Sequence, residues 1–210
     1  ELAGLHPADV AARDRFGPRG RLVEAGLVAV DDGDRPFLTR ALRVPDRVAA
    51  HLLGGDVADP SVAGLLVEPV PLVIDDDGGL GRVLVPDRDG DPLLVYVVEE
   101  AGASGRSFAA AVLAAAGRAA LVADLERLER EPPVAGLIVT ARTLAREARL
   151  TGSVLVAGPV DHLAERGPEL VRVLAELGVP LVLTGRRHWE SAWARQVAVV
   201  GKAPTPVAEE

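Results

Sequence analysis

The chain has 210 residues, 49% of them apolar, with a formal net charge of −8 and no cysteine. That length holds one or two modest domains, the apolar share argues against disorder, and the missing cysteines exclude disulfides and thiolate metal sites. No apolar run approaches the roughly 18 residues of a membrane helix and no charged-then-apolar leader opens the sequence, which predicts a soluble, cytoplasmic chain with no membrane partner.

Charge is distributed in three blocks. Residues 1–58 carry eight basic and nine acidic side chains, residues 59–92 two and eight, and residues 93–210 thirteen and fourteen. Two balanced modules joined by an acidic connector are expected, and a general grip on nucleic acid is not, because that requires clustered Lys and Arg. The opening ELAGLHPADV begins as if within a helix, so the chain reads as a piece of something longer.

In the first module, HPADVAARDRF starts a helix and PRGRLVEAGLVAV a second, closed at Gly26. LVAV (27–30) and PFLTRALRV (36–44) flank the turn DDGD as a hairpin, and PDRVAAHLLGG forms another helix. The order suits a winged-helix-like module without its first helix. The plain alternative is a small α+β adaptor, favoured by the mixture of Arg13, Arg15, Arg19 and Arg21 with Asp9, Asp14 and Glu24. The connector, 59–92, predicts two short strands, in LLVEPVPLVI and RVLV, around acidic turns. Asp87, Asp89 and Asp91 imitate the start of a calcium loop, but Pro92 and Val98 stand where glycine and glutamate are needed.

From residue 93 strands and helices alternate, the pattern of a parallel sheet covered by helices. Strands are expected at 93–98, 120–124, 153–158, 180–185 and 196–200. The helices are SFAAAVLAAAG, PVAGLIVTARTLAREARL, whose apolar face is Val134, Leu137, Ile138, Ala141, Leu144, Ala145 and Ala148, and GPELVRVLAELG, apolar at Leu170, Val173, Leu174 and Leu177. Ligands of such sheets sit at the carboxyl ends of the strands.

The first strand runs into EAGASGRS. The phosphate-loop pattern is G-x-x-x-x-G-K-[ST], whose backbone amides curl around phosphate at a helix start. Gly102, Ala103, Ser104, Gly105, Arg106 and Ser107 keep the glycines, a positive charge and the hydroxyl. Glu100 replaces the first glycine, and the long planar Arg106 replaces lysine. After the apolar run SVLV, where an Asp-Glu pair would hold magnesium, stand Ala157, Gly158 and Pro159. Asp161 comes later, as a helix-start residue. Thr184, ending PLVLTG, is a candidate water or phosphate sensor or an ordinary loop threonine. Arg186 and Arg187 could meet phosphates or a neighbouring subunit's carboxylates. The four histidines are scattered, so no metal ligand is assigned, and no residue is given a catalytic role.

These stretches, with RLVEAGLVAV, LTRALRVPDRVAAHLLGG, GASGRSFAAAVLAAAGRAALVADLERL, SVLVAGPVDHL and GVPLVLTGRRHWE, resemble bacterial AAA-type ATPases, in particular the large cell-division-cycle-48-like group. The resemblance implies an α/β fold with a P-loop NTPase-like parallel sheet, the AAA-type core without its helical lid, preceded by a winged-helix-like α+β segment. It places the winged-helix-like segment at 1–58, the connector at 59–92, the P-loop domain at 93–203 and a tail at 204–210. It implies a degenerate nucleotide site that serves assembly or regulation rather than hydrolysis, with ATP bound weakly through Gly102–Ser107 and Thr184, and without magnesium. It implies as partners a downstream ATPase module of the same polypeptide and further copies in a homo-oligomer. The alternatives are an active ATPase, with Arg106 in place of lysine and Asp161 on magnesium, and a winged-helix DNA-binding regulator.

Overall fold

The computed structural model describes residues 14–17, 19–74, 79–84, 93–129 and 133–204. The chain divides into two compact units, Glu1–Asp59 and Pro60–Glu210.

In the first unit a helical turn at 14–16 precedes α1 (Arg21–Glu24). Gly20 is required between them, since a Cβ there would lie 2.1 Å from the Arg15 carbonyl oxygen. Strands β1 (Ala29–Val30) and β2 (Leu42–Arg43) pair antiparallel, shorter than the expected hairpin. Pro36 leads into a 3₁₀ turn at Phe37–Thr39 that takes up the first half of the supposed return strand. Asp31 fastens the hairpin, its carboxylate accepting from Arg43 Nε at 2.9 Å. Helix α2 (Asp46–Leu52) follows, with Arg47 donating from Nη1 to the Gly55 carbonyl. Most of the first predicted helix lies outside the described residues.

The second unit opens with a helical turn, α3 (Pro60–Ala63). Residues 65–67 then run along β4 (Ala120–Asp124), where Val67 N donates to Val122 O and Asp124 N to Leu65 O. This contact is an isolated bridge rather than the strand expected in LLVEPVPLVI. The second expected connector strand is instead helical, α4 (Leu80–Leu84). Its Leu80 lies over Gly201, where a Cβ would meet the Leu80 Cδ1 at 2.5 Å. So short a segment is compatible with either state, and packing over the sheet goes with helix. The calcium-like aspartates lie outside the described residues.

Five parallel strands form the core: β3 (Leu94–Glu99), β4, β5 (Val154–Gly158), β6 (Leu181–Gly185) and β7 (Val199–Ala203), in the order β4-β5-β6-β3-β7. The first four match the expected positions within a residue. β7 begins three residues late, because Ser191–Trp193 form a 3₁₀ turn that buries Trp193 first.

Alternation along the strands sorts side chains to two faces. Leu94, Tyr96, Val98, Leu155, Ala157, Leu181 and Leu183 join one core cluster, and Val95, Val97, Val122, Val154, Val156 and Val182 the other. The first is covered by α6 (Val134–Thr151), α7 (Asp161–Arg166) and α8 (Pro168–Ala175). The second is covered by α5 (Gly105–Ala115), which touches every strand, and α4. On α6 the buried residues are Leu137, Ala141, Leu144, Ala145 and Ala148, as patterned, and also Glu147; Val134 is half exposed. α6 ends at Gly152 in the left-handed conformation, φ 65°. The expected GPELVRVLAELG helix is α8, which buries Leu170, Val171, Leu174 and Ala175.

Among the described residues no helix is long and apolar enough to cross a membrane.

Candidate functional site at the carboxyl edge of the sheet

Strand parity builds the site. Glu99, Asp124, Gly158 and Thr184 stand at the carboxyl ends of β3, β4, β5 and β6, each in step with the residues that face α5. The start of α5, with its positive dipole end, therefore meets one position from each of four strands.

The loop between β3 and α5 is a tight turn. Ala103 N donates to Glu100 O at 3.0 Å, and Gly102 occupies the third place with φ 84°, which an L side chain rarely adopts. Ser104 is the N-cap of α5, its Oγ accepting from Ser107 N at 3.3 Å. The two hydroxyls also touch, with Ser104 Oγ 3.2 Å from Ser107 Oγ. The Ser107 side chain is thus held within the turn, and the residue is buried.

The loop's charged groups are matched internally. Arg106 forms an ion pair through Nη1 with Asp124 Oδ1, a close contact of charges rather than an aligned hydrogen bond. The side chains are only 20% and 15% exposed, so the pair is largely withdrawn from water. Asp124 also faces Arg127 at 3.4 Å and caps the turn Leu125–Arg127 by accepting from Glu126 N. The Gly105 amide donates to Glu99 Oε1 at 3.1 Å. A Cβ on Gly105 would lie 2.8 Å from Glu99 Cγ and Oε1 and 3.0 Å from Thr184 Cβ, so only glycine lets the loop sit this close to β3 and β6.

The end of β5 is equally crowded. A Cβ on Gly158 would lie 2.2 Å from Thr184 Oγ1 and 2.8 Å from the Thr184 carbonyl oxygen. Thr184 is fully buried and its hydroxyl finds no hydrogen-bond partner among the described residues. An aspartate at 158 has no room beside it.

Asp161, the alternative magnesium ligand, begins α7 and is otherwise engaged. Its carboxylate accepts from the backbone N–H of Arg186, 3.0 Å from each oxygen, and from that of Arg187 at 3.0 Å. This latch fixes the turn after β6. The Arg187 carbonyl accepts from Tyr96 Oη at 2.7 Å, and Tyr96, Trp189 and Trp193 meet at ring-centroid distances of 5.3–5.7 Å. Burial, followed by the carboxylates of Asp161 and Glu99, pushes the Tyr96 hydroxyl above its ordinary value, which keeps it a neutral donor.

A cleft of about 570 Å³ opens at the same edge, lined by Glu126, Leu128, Pro159, Asp161, His162, Glu165 and Arg186. None of Gly102–Ser107 lines it. Burial, with Arg166 nearby, lowers the His162 value against the opposing pull of Asp161, Glu126 and Glu165. A neutral imidazole and three carboxylates against one arginine make a poor seat for polyphosphate. Among the described residues no group of three or more His, Cys, Asp or Glu could hold a metal ion.

The structure brings Gly105 of the loop against Thr184, and other residues line the cleft. Sequence reading singled out Glu100 and overlooked Glu99 and Asp124. Each is the acid that closes an apolar strand, in step with residues facing the next helix, and that parity is the signal that identifies them. In comparisons with known proteins, the chain matches no family model, no curated protein and no solved structure.

Proposed function

We propose that the second unit is a phosphate-loop-type module that has given up hydrolysis and serves assembly or regulation, beside an intact ATPase module in the manner its AAA-type resemblance implies. The carrying observation is the Arg106–Asp124 pair, which engages the loop's one cation away from any phosphate. A phosphate loop stabilises transferred charge with a free cation and a magnesium ion held by a strand-end acid. Here the cation is neutralised, and the strand end offers Gly158 pressed against Thr184.

The placement of the strands supports the same ancestry. The loop strand β3 lies between β6 and β7, with β5 beyond β6, so Thr184 stands between the loop and the place of the missing acid. On this reading Gly102–Ser107 hold ATP weakly at most, and the first unit is a winged-helix-like adaptor.

Calorimetric titration of the purified chain with ATP and ADP, with and without magnesium, tests the proposal. No saturable binding tighter than about 1 mM is expected, and no phosphate release. Magnesium-dependent turnover abolished by Ser107→Ala would overturn it.

A further inference from the structure

We propose that the cleft beyond β4, β5 and β6 binds a free basic amino acid, with Glu126 and Glu165 taking its cationic groups and Arg186 its carboxylate. This site is separate from the loop between β3 and α5 and stands whether or not that loop descends from a phosphate loop.

The cleft, about 570 Å³, is formed by the segments that leave three neighbouring strands. Glu126 and Leu128 follow β4, Pro159, His162 and Glu165 follow β5, and Arg186 follows β6. Ligands of open parallel sheets bind at this edge. The volume falls within the range of about 300–1,000 Å³ usual for small-molecule sites.

The charges in the cleft are left unmatched. Among the described residues, the carboxylates of Glu126 and Glu165 and the Arg186 guanidinium form no ion pair or hydrogen bond, although all three line the same space. The two carboxylates come from separate elements, the turn after β4 and α7, yet both act on the His162 ring, so they converge. Asp161 is already engaged, accepting at 3.0 Å from the Arg186 and Arg187 amides, and this holds the stem of Arg186 in place.

Two free carboxylates and one free guanidinium are the inverse of a molecule with two cationic groups and one carboxylate, which is a basic α-amino acid. A polyamine would set a cation against Arg186, and a dicarboxylate would meet two like charges. His162, kept neutral by burial and Arg166, adds no positive charge against the ligand. Leu128 and Pro159 offer an apolar wall to its methylene stem. Charges that were merely solvated would not favour such a ligand over its truncated analogues.

The test titrates the full chain with L-arginine, agmatine and L-citrulline by calorimetry. Agmatine lacks the carboxylate, and citrulline lacks the side-chain cation. Wild type should bind L-arginine with a Kd below about 1 mM, and each analogue at least about tenfold more weakly. Glu165→Gln should weaken L-arginine at least about fivefold. Arg186→Gln should weaken it to the level of agmatine while agmatine itself binds unchanged or tighter, a pattern that damage to the fold would not produce. No saturable L-arginine binding by wild type up to about 10 mM overturns the proposal. Equal affinities for L-arginine and both analogues overturn it too, as does a folded Glu165→Gln variant that binds like wild type. Should the variants fail to fold, the ranking on wild type decides: L-arginine first upholds the proposal, and any other order overturns it.

Discussion

Gly158, pressed against Thr184 at the end of β5, stands on the proposed reading at the place of a lost magnesium acid, so filling it is the sharpest perturbation. In Gly158→Ala the new Cβ would sit 2.2 Å from Thr184 Oγ1, 2.8 Å from Thr184 O and 3.1 Å from Thr184 Cβ. The hydroxyl can rotate away, but the carbonyl belongs to β6 and accepts from Val160 N at 2.9 Å, so strand backbone must move. Overpacking of this kind costs about 1–3 kcal/mol. A change of that size lowers the melting temperature of a 150–250-residue protein by about 2–12 °C. Gly158→Asp should cost more, since a carboxylate would be buried without room for its hydrogen bonds. Thr184→Val removes the unpartnered hydroxyl and should by itself be neutral or slightly stabilising. Combining Gly158→Ala with Thr184→Ala relieves the shortest of the three contacts, that to Oγ1, while the Cβ and carbonyl contacts stay, and should recover about 0.5–1 kcal/mol in a double-mutant cycle. Urea and thermal unfolding followed by Trp fluorescence read all of these. A Gly158→Ala change within about 0.5 kcal/mol of wild type would refute the crowding argument.

Asp161→Ala removes an acceptor of two backbone amides; because the site is partly exposed, a loss of about 1–2 kcal/mol is expected, with changed Trp emission as the turn carrying Trp189 loosens. Unfolding melts that leave both stability and emission unchanged would show that the latch carries no weight. Asp124→Ala strands the Arg106 guanidinium in a largely buried place and should cost about 1–3 kcal/mol, while Asp124→Ala with Arg106→Ala should cost less than the single change at Asp124. A double variant as unstable as the sum of its parts would deny the pairing. His162 is held neutral by burial, so the unfolded chain binds its proton first as pH falls. Stability should therefore decline below the ordinary histidine value of 6.5 and be unaffected by this group above it. His162→Gln should flatten that decline in a pH series of melts, and an unchanged slope would remove His162 as its source.

Much of this fold is written in local pattern. Runs such as LLVYVV, ALVAD and SVLVAG are short, apolar and bounded by Gly, Pro or charge, so strand state and approximate limits follow from the residues alone. The same holds for α5 and α6, and for the loop between β3 and α5, whose glycines and serines announce a turn into a helix. Short ambiguous pieces escaped that logic. LGRVL is helical because Leu80 is needed over Gly201, and β7 starts late because Trp193 enters the core before it.

The sequence by itself determined the alternating elements, the turn between β3 and α5 and the absence of an acid directly after SVLVA, because these depend on neighbours along the chain. Only the tertiary structure decided what the loop's groups touch. Strand order brought Thr184 against Gly158 and Gly105, and Asp124 to Arg106, from elements far apart in sequence. Partnership across strands is set by which edges meet, and spacing along the chain carries no record of that.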